Sequence, residues 1–282
     1  LVRDVDRVAD GGSAIRFVIG AYGAGKTFFA GMVRLIAHER KCVTMHADLS
    51  PNRRIHASGG QGRALYAEAV NNMATRNKPE GGALQSVIER LVTDAVKEAS
   101  EKSVAVETVI DQKLEPISGV QGGYDFATVL KAYWRGSEES NGSLKENAIR
   151  WLRGEYSTKT DARKDLGVRT IIDDETVYES LKSLACLVRV AGYAGLLVMF
   201  DEMANIYKLQ NAQARKQNDE QFLNIVNDAL QGTTSGIGFV MCGTPEFLLD
   251  TRRGVFSYEA LQSRLSNFIE ELLDEPDLGL CA

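Results

Sequence analysis

Apolar residues along this chain follow two rhythms, and the rhythm divides it into parts. Residues 196–200 (Leu-Leu-Val-Met-Phe) and 237–242 (Ile-Gly-Phe-Val-Met-Cys) are near-continuous apolar runs, and 15–19 is broken only by Arg16. Such runs predict strands buried on both faces, as in a parallel sheet covered by helices on either side. The first strand is expected over about 15–20, a helix over about 26–39 and a second strand over 41–47. The long stretch before the third strand has little strand character. There, apolar residues recur at helical spacing: Leu84, Val87, Ile88, Leu91, Val92, Ala95 and Val96, then Phe126, Val129, Leu130, Tyr133 and Trp134, then Leu181, Leu184, Ala185 and Val188. These stripes predict amphipathic helices with core faces. Loop signals separate them at 78–82, 119–123, 136–142 and the charged 157–164. Residues 258–265 also read as helix, and 268–273 continue it toward the acids Glu270, Glu271, Asp274 and Glu275, a solvated face. The expected fold is therefore α/β, a parallel sheet flanked by helices with a large helical insertion between the second and third strands. It would form one domain over 1–282, with a core at about 1–62 and 190–265 and the insertion at about 63–189.

The junction of the first strand and helix carries the chemistry. It reads Gly20-Ala21-Tyr22-Gly23-Ala24-Gly25-Lys26-Thr27, followed by Phe28. This fits the phosphate-loop pattern G-x-x-x-x-G-K-[ST] at every fixed position, between a strand and a helix. Glycines let the backbone wrap tightly, so that successive N–H groups can aim at phosphate oxygens. The helix N-terminus adds its positive dipole end. Lys26 would sit on the terminal phosphates, and the Thr27 hydroxyl would ligate Mg²⁺. A nucleoside triphosphate and Mg²⁺ are thus the expected ligands, with residues 20–28 as the cradle; that the nucleotide is ATP is what the family resemblance below implies.

Hydrolysis needs more: a carboxylate to hold the metal and a group to orient or deprotonate water. The third strand runs straight into Asp201-Glu202. An apolar strand ending in Asp-Glu is the expected Walker B partner of a phosphate loop. Asp201 would hold Mg²⁺ and Glu202 would act as general base. Strand carboxyl ends are where open α/β sheets place ligands. The fourth strand ends Gly243-Thr244-Pro245-Glu246. Thr244 is a candidate γ-phosphate sensor, or a helix N-cap before Pro-Glu. Arg264 is the candidate to meet charge on a γ-phosphate, supplied to a neighbouring subunit, with Arg252-Arg253 as competitor. Asp48, in Asp48-Leu-Ser-Pro51, could bind ribose or a bridging water, or cap a turn. The basic, glycine-rich stretch from Arg53 to Arg63 could bind phosphate or nucleic acid, with a mobile surface loop as the preferred reading.

Charge narrows the partners. A net charge of −5 and a pI of about 5.4 give no support for bulk attraction to DNA or anionic lipid. A local basic groove stays open. No apolar run approaches the roughly 18–20 residues of a membrane span. Cys42, Cys186, Cys242 and Cys281 are far apart and form no zinc pattern, which suits free thiols in a cytoplasmic protein.

Several segments resemble the ATP-binding BrxD family of BREX systems. They are the phosphate loop, Asp48-Leu-Ser-Pro-Asn-Arg-Arg-Ile-His56 with Gly59–Tyr66, the run 191–202, and Gly243-Thr-Pro-Glu-Phe247 with 256–265. The resemblance implies an AAA+-like ATPase of bacterial or archaeal anti-phage defence. Its system neighbours would include a helicase, a DNA methyltransferase and an alkaline-phosphatase-like protein. It also implies a further strand and a C-terminal lid or winged region, expected to be missing here. Three functions follow. One is an ATPase coupling nucleotide state to assembly, as a homo-oligomer or hetero-complex, or to DNA handling. Another is a non-hydrolysing ATP-dependent switch that gates partner binding. A small-molecule kinase is disfavoured, because Asp201-Glu202 suits water activation.

Overall fold

The computed structural model describes residues 1–265. Four strands, β1 (Ser13–Ile19), β2 (Val43–Asp48), β3 (Leu196–Asp201) and β4 (Ile237–Gly243), form one parallel sheet in the order β1-β4-β3-β2. Helix α1 (Val2–Ala9) precedes β1, and α2 (Lys26–Glu39) links β1 to β2. Seven helices lie in the chain between β2 and β3: α3 (Gln61–Asn71), α4 (Leu84–Lys102), α5 (Val106–Ser118), α6 (Gly123–Glu138), α7 (Gly142–Leu152), α8 (Lys159–Leu166) and α9 (Val177–Val190). A short α10 (Ala204–Tyr207) and the long α11 (Ala212–Gln231) connect β3 to β4. After β4 come α12 (Pro245–Leu249), a 3-10 turn (Val255–Ser257) and helical residues 259–265. The acidic segment expected at 268–275 lies outside the described residues.

The sheet is apolar on both faces, and alternation sorts its side chains. Leu197, Met199, Val240 and Cys242 pack with Val5 of α1 and with Val33 and Ala37 of α2. Leu196, Val198, Phe200, Phe239 and Met241 point the other way, into a larger core with Tyr66, Leu184 and Phe222 from α3, α9 and α11. Full burial of one such Val, Leu or Phe contributes roughly 1.5–3 kcal/mol. This two-sided burial is why β3 and β4 read as unbroken apolar runs.

The helical stripes hold with local corrections. In α4, Val87, Ile88, Leu91 and Ala95 are buried, but Val96 is 42% exposed. One residue past the buried Ala95, the helix has turned it away from the core. The charged stretch 157–164 is not a loop. It leads into α8, whose N-cap Thr158 accepts a hydrogen bond from Asp161 N–H and whose Ala162 and Leu166 are buried. Charge at five of the eight positions of that helix hides so short a stripe. Nor does 136–142 break the chain throughout, since α6 runs on to Glu138. A Cβ at Gly136 would lie 2.9 Å from Lys145 Cγ and 3.0 Å from the Asn141 carbonyl. That glycine allows α7 to approach; it does not end a helix.

Candidate functional site

The strands deliver their carboxyl ends to one edge of the sheet, and the expected residues meet there. Beyond Ile19 the chain turns through residues 20–25 into α2. Gly23 and Gly25 have φ of +80° and +86°, and a Cβ on either would meet nothing within 4 Å. Left-handed backbone, not crowding, therefore calls for glycine at both positions. Gly25 is the N-cap of α2, and Gly20 N–H donates to the Gly243 carbonyl at 3.1 Å, fastening the turn to β4. Lys26 Nζ folds back over the turn, donating to the carbonyls of Gly20 at 2.7 Å and Ala21 at 2.8 Å. Phe28, expected beside the nucleotide, is 74% exposed at the start of α2.

The two halves of the expected site touch. Thr27 Oγ1 donates to Asp201 Oδ2 at 3.3 Å, across 174 residues of sequence. The other oxygen of the same carboxylate accepts from Glu202 N–H at 2.7 Å. Glu202 itself is exposed and left-handed, with φ +57°. A non-glycine residue pays about 1–2 kcal/mol for that conformation. Asp48 is the register neighbour of Asp201 on β2 and is also exposed. Beneath this edge lies the buried Cys242 thiol, pushed up to about 12 by burial and then by the Asp201 charge, with Lys26 opposing. Lys26 and Asp201 thus act electrostatically on one atom from a common neighbourhood.

Other expected residues are placed differently. Thr244 is buried at the end of β4 and occupies the N-cap position of α12, but its side chain makes no cap hydrogen bond. Its hydroxyl bonds the Glu246 carboxylate, which that bond and Glu246's own backbone N–H together hold below the ordinary glutamate range; the backbone contribution is the larger. Arg264 is not at this edge in its contacts: it donates to Asn227 Oδ1 of α11 at 2.6 Å and to the Ala260 carbonyl at 2.7 Å. Arg253 donates to the Tyr207 and Leu209 carbonyls, and Arg252 is exposed.

The glycine-rich basic segment is built in, contrary to its reading as a loose surface loop. Gly60 and Arg63 N–H donate to the two oxygens of Asp174 at 2.7 and 2.8 Å, which caps α3 with a carboxylate. Arg53 pairs with Glu68, and Arg63 reaches the Tyr156 carbonyl. The turn after Asp48 is made by Ser50, whose Oγ accepts from Asn52 N–H, not by Asp48.

One pair of residues had no signal in the sequence. Lys208, just past α10, donates to the hydroxyl of Tyr22 in the turn after β1 at 2.9 Å. Both line a cleft of about 300 Å³ with Ala21, Tyr207, Thr244 and Glu246. No spacing rule joins positions so far apart.

The donor set suits a hard cation. The Thr27 hydroxyl and Asp201 carboxylate are oxygen ligands of the kind Mg²⁺ takes while keeping waters and substrate phosphates as its other ligands. Among the described residues no group of three or more His, Cys, Asp or Glu could hold a metal by itself. Nor is any described helix long and apolar enough to cross a membrane.

A parallel α/β sheet with a glycine turn at the head of α2, facing an acidic strand end, is consistent with the P-loop-like class of nucleotide-binding proteins. Within that class, the chain belongs to the BREX system ATP-binding protein BrxC/D family, whose model matches residues 1–277. Neither the curated proteins nor the solved structures yield a match.

Proposed function

We propose that this protein binds ATP with Mg²⁺ and hydrolyses it slowly or on stimulation by a partner, coupling nucleotide state to assembly or DNA handling in BREX defence. The observation that carries the reading is the 3.3 Å bond between Thr27 and Asp201, which unites the turn after β1 with the end of β3. In this reading residues 20–28 cradle the triphosphate, and Thr27 and Asp201 hold the metal. Bound Mg²⁺ would neutralise charge building on the phosphates. Lys26 leaves the Gly20 and Ala21 carbonyls to sit on the terminal phosphates. Glu202, exposed one residue beyond Asp201, takes the proton from the attacking water. Thr244 senses the γ-phosphate from β4, the strand between the two halves of the site.

The same reading makes the chain one AAA+-like domain, with a core of about 1–62 and 190–265 and α3–α9 within a helical insertion of about 63–189. It works in the cytoplasm, as a homo-oligomer or with other defence components. Arg264 serves a neighbouring site only by leaving Asn227.

Single-turnover hydrolysis by wild type and Glu202→Gln tests the assignment. The variant is expected to bind ATP as wild type does and to turn over at least ~100-fold slower, the scale of general-base catalysis. Equal rates would remove Glu202 from the chemistry. A second reading, a nucleotide switch without hydrolysis, is favoured by one feature. Lys26 is held by its own loop, so binding must first free its side chain. No turnover by wild type, with intact ATP binding, would select it.

A further inference from the structure

Two lysines converge on Tyr22. Its ring is 64% exposed in the middle of the phosphate turn. Lys26 Nζ lies 5.7 Å from the ring centroid, and Lys208 Nζ lies 5.5 Å from it. Lys26 comes from the turn itself. Lys208 comes from the other half of the site, six positions after Glu202 in sequence, at the end of α10. Its ammonium donates to the Tyr22 hydroxyl. That bond, and next the charge environment of Tyr22, raise the Lys208 ammonium above its ordinary range; Glu202 adds to the effect. Lys208 and the proposed general base are close enough for their charges to interact. The acids Lys208 faces are Glu202 and, across the cleft, Glu246, which is already engaged by Thr244.

The cleft gives this cation a direction to move. Its walls include the start of the phosphate turn, Thr244 at the end of β4, and Lys208. A phosphate group resting on Lys26 would lie beside Tyr22, and Lys208 would meet it from the α10 side of the cleft. An exposed lysine on a flexible four-carbon stem can exchange a neutral phenol for a phosphate oxygen at little conformational cost. The exchange is favourable because an ammonium–phosphate bond is charge-assisted on both sides.

We propose that Lys208, held on the Tyr22 hydroxyl, is a second, intramolecular phosphate-binding cation that engages the terminal phosphate of a nucleoside triphosphate and not a diphosphate. This rests on the proposed phosphate-loop site and adds to it a residue that distinguishes the two nucleotides. It also gives the nucleotide state a mechanical consequence. Engagement of Lys208 draws the end of α10 toward the turn, and release returns it to Tyr22.

The test is calorimetric titration of a non-hydrolysable ATP analogue and of ADP, both with Mg²⁺, into wild type, Lys208→Met, Lys208→Arg and Lys26→Ala. Lys208→Met should weaken the triphosphate analogue about tenfold or more, the scale of a lost charged hydrogen bond, and change ADP affinity less than about twofold. Lys208→Arg should restore most of the loss. Equal weakening of both nucleotides, or of neither, in Lys208→Met would overturn the assignment. Lys26→Ala separates this from the parent reading. If it binds both nucleotides as wild type does, or wild type binds neither, the phosphate-loop site fails and Lys208 with it. If Lys26→Ala is impaired and Lys208→Met is not, only Lys208 falls. Thermal melting of the two Lys208 variants without nucleotide should match wild type, because Lys208 is exposed.

Discussion

At the proposed site, Glu202 departs furthest from ordinary backbone among the residues other than glycine. Its neighbours are ordinary strand and helix, yet its φ of +57° lies where glycine is favoured. Backbone strain of about 1–3 kcal/mol persists where surrounding structure fixes it, often at functional sites. Here the fixing contacts are visible: Glu202 N–H on Asp201 Oδ1, Asn205 N–H on the Glu202 carbonyl, and Met203 N–H on the Cys242 carbonyl. A glycine would relieve the strain but lose the carboxylate. Glu202→Gly is therefore expected to match or exceed wild type in thermal stability, by up to about 1 kcal/mol after glycine's entropic cost. Its turnover should fall as far as that of Glu202→Gln. A clear loss of stability in differential scanning calorimetry would mean that the side chain, not the backbone, is what the fold needs there. Asp-Glu after an apolar run was legible in the sequence. The strain was not, because nothing in the residue types before or after Glu202 demands a positive φ.

Among the elements, those with one dominant period were legible and those with competing signals were not. Helix α2 runs over the 26–39 span its sequence predicts, and the stripes of α4, α6 and α9 face the core. Helices α8 and α11 escaped notice because polar residues outnumber the apolar ones. Yet α11 buries Phe222, Ile225, Val226 and Ala229 at helical spacing. It also buries Asn218, which holds both the N–H and the carbonyl of His56, a long-range clamp without local signature. Next to it, Asp219 is buried and its carboxyl is pushed up to about 7, by burial first; Arg215 on the preceding turn pulls it down and Glu220 adds to the rise. The folded protein therefore holds this proton longer than the unfolded chain, whose aspartate titrates near 3.9 or about that value. Stability from this group is full below that unfolded value and is lost as pH rises toward about 7. Asp219→Asn removes the loss. Its denaturation midpoint should exceed that of wild type by more at pH 8 than at pH 5, and a pH-independent difference would show that Asp219 is not a buried acid.

For the whole molecule, the parallel arrangement was legible from the unbroken runs, but the strand order was not. Pairing partners far apart in sequence leave no mark in local hydropathy. The order β1-β4-β3-β2 puts β4, which leads into Thr244, between the strand before the glycine turn and the strand that ends at Asp201. The seven helices between β2 and β3 are absorbed without disturbing that edge, since Asp48 and Asp201 still lie in register. Membership of the BrxC/D family fits an ATP-binding protein, and the union of turn and acidic strand gives the binding its proposed metal dependence. That union is tested most directly by ATP affinity measured with and without Mg²⁺ in wild type and Asp201→Asn. The account predicts that Mg²⁺ tightens ATP binding to wild type by about tenfold or more, while Asp201→Asn keeps the metal-free affinity and loses most of the tightening. Equal tightening in both proteins would contradict it.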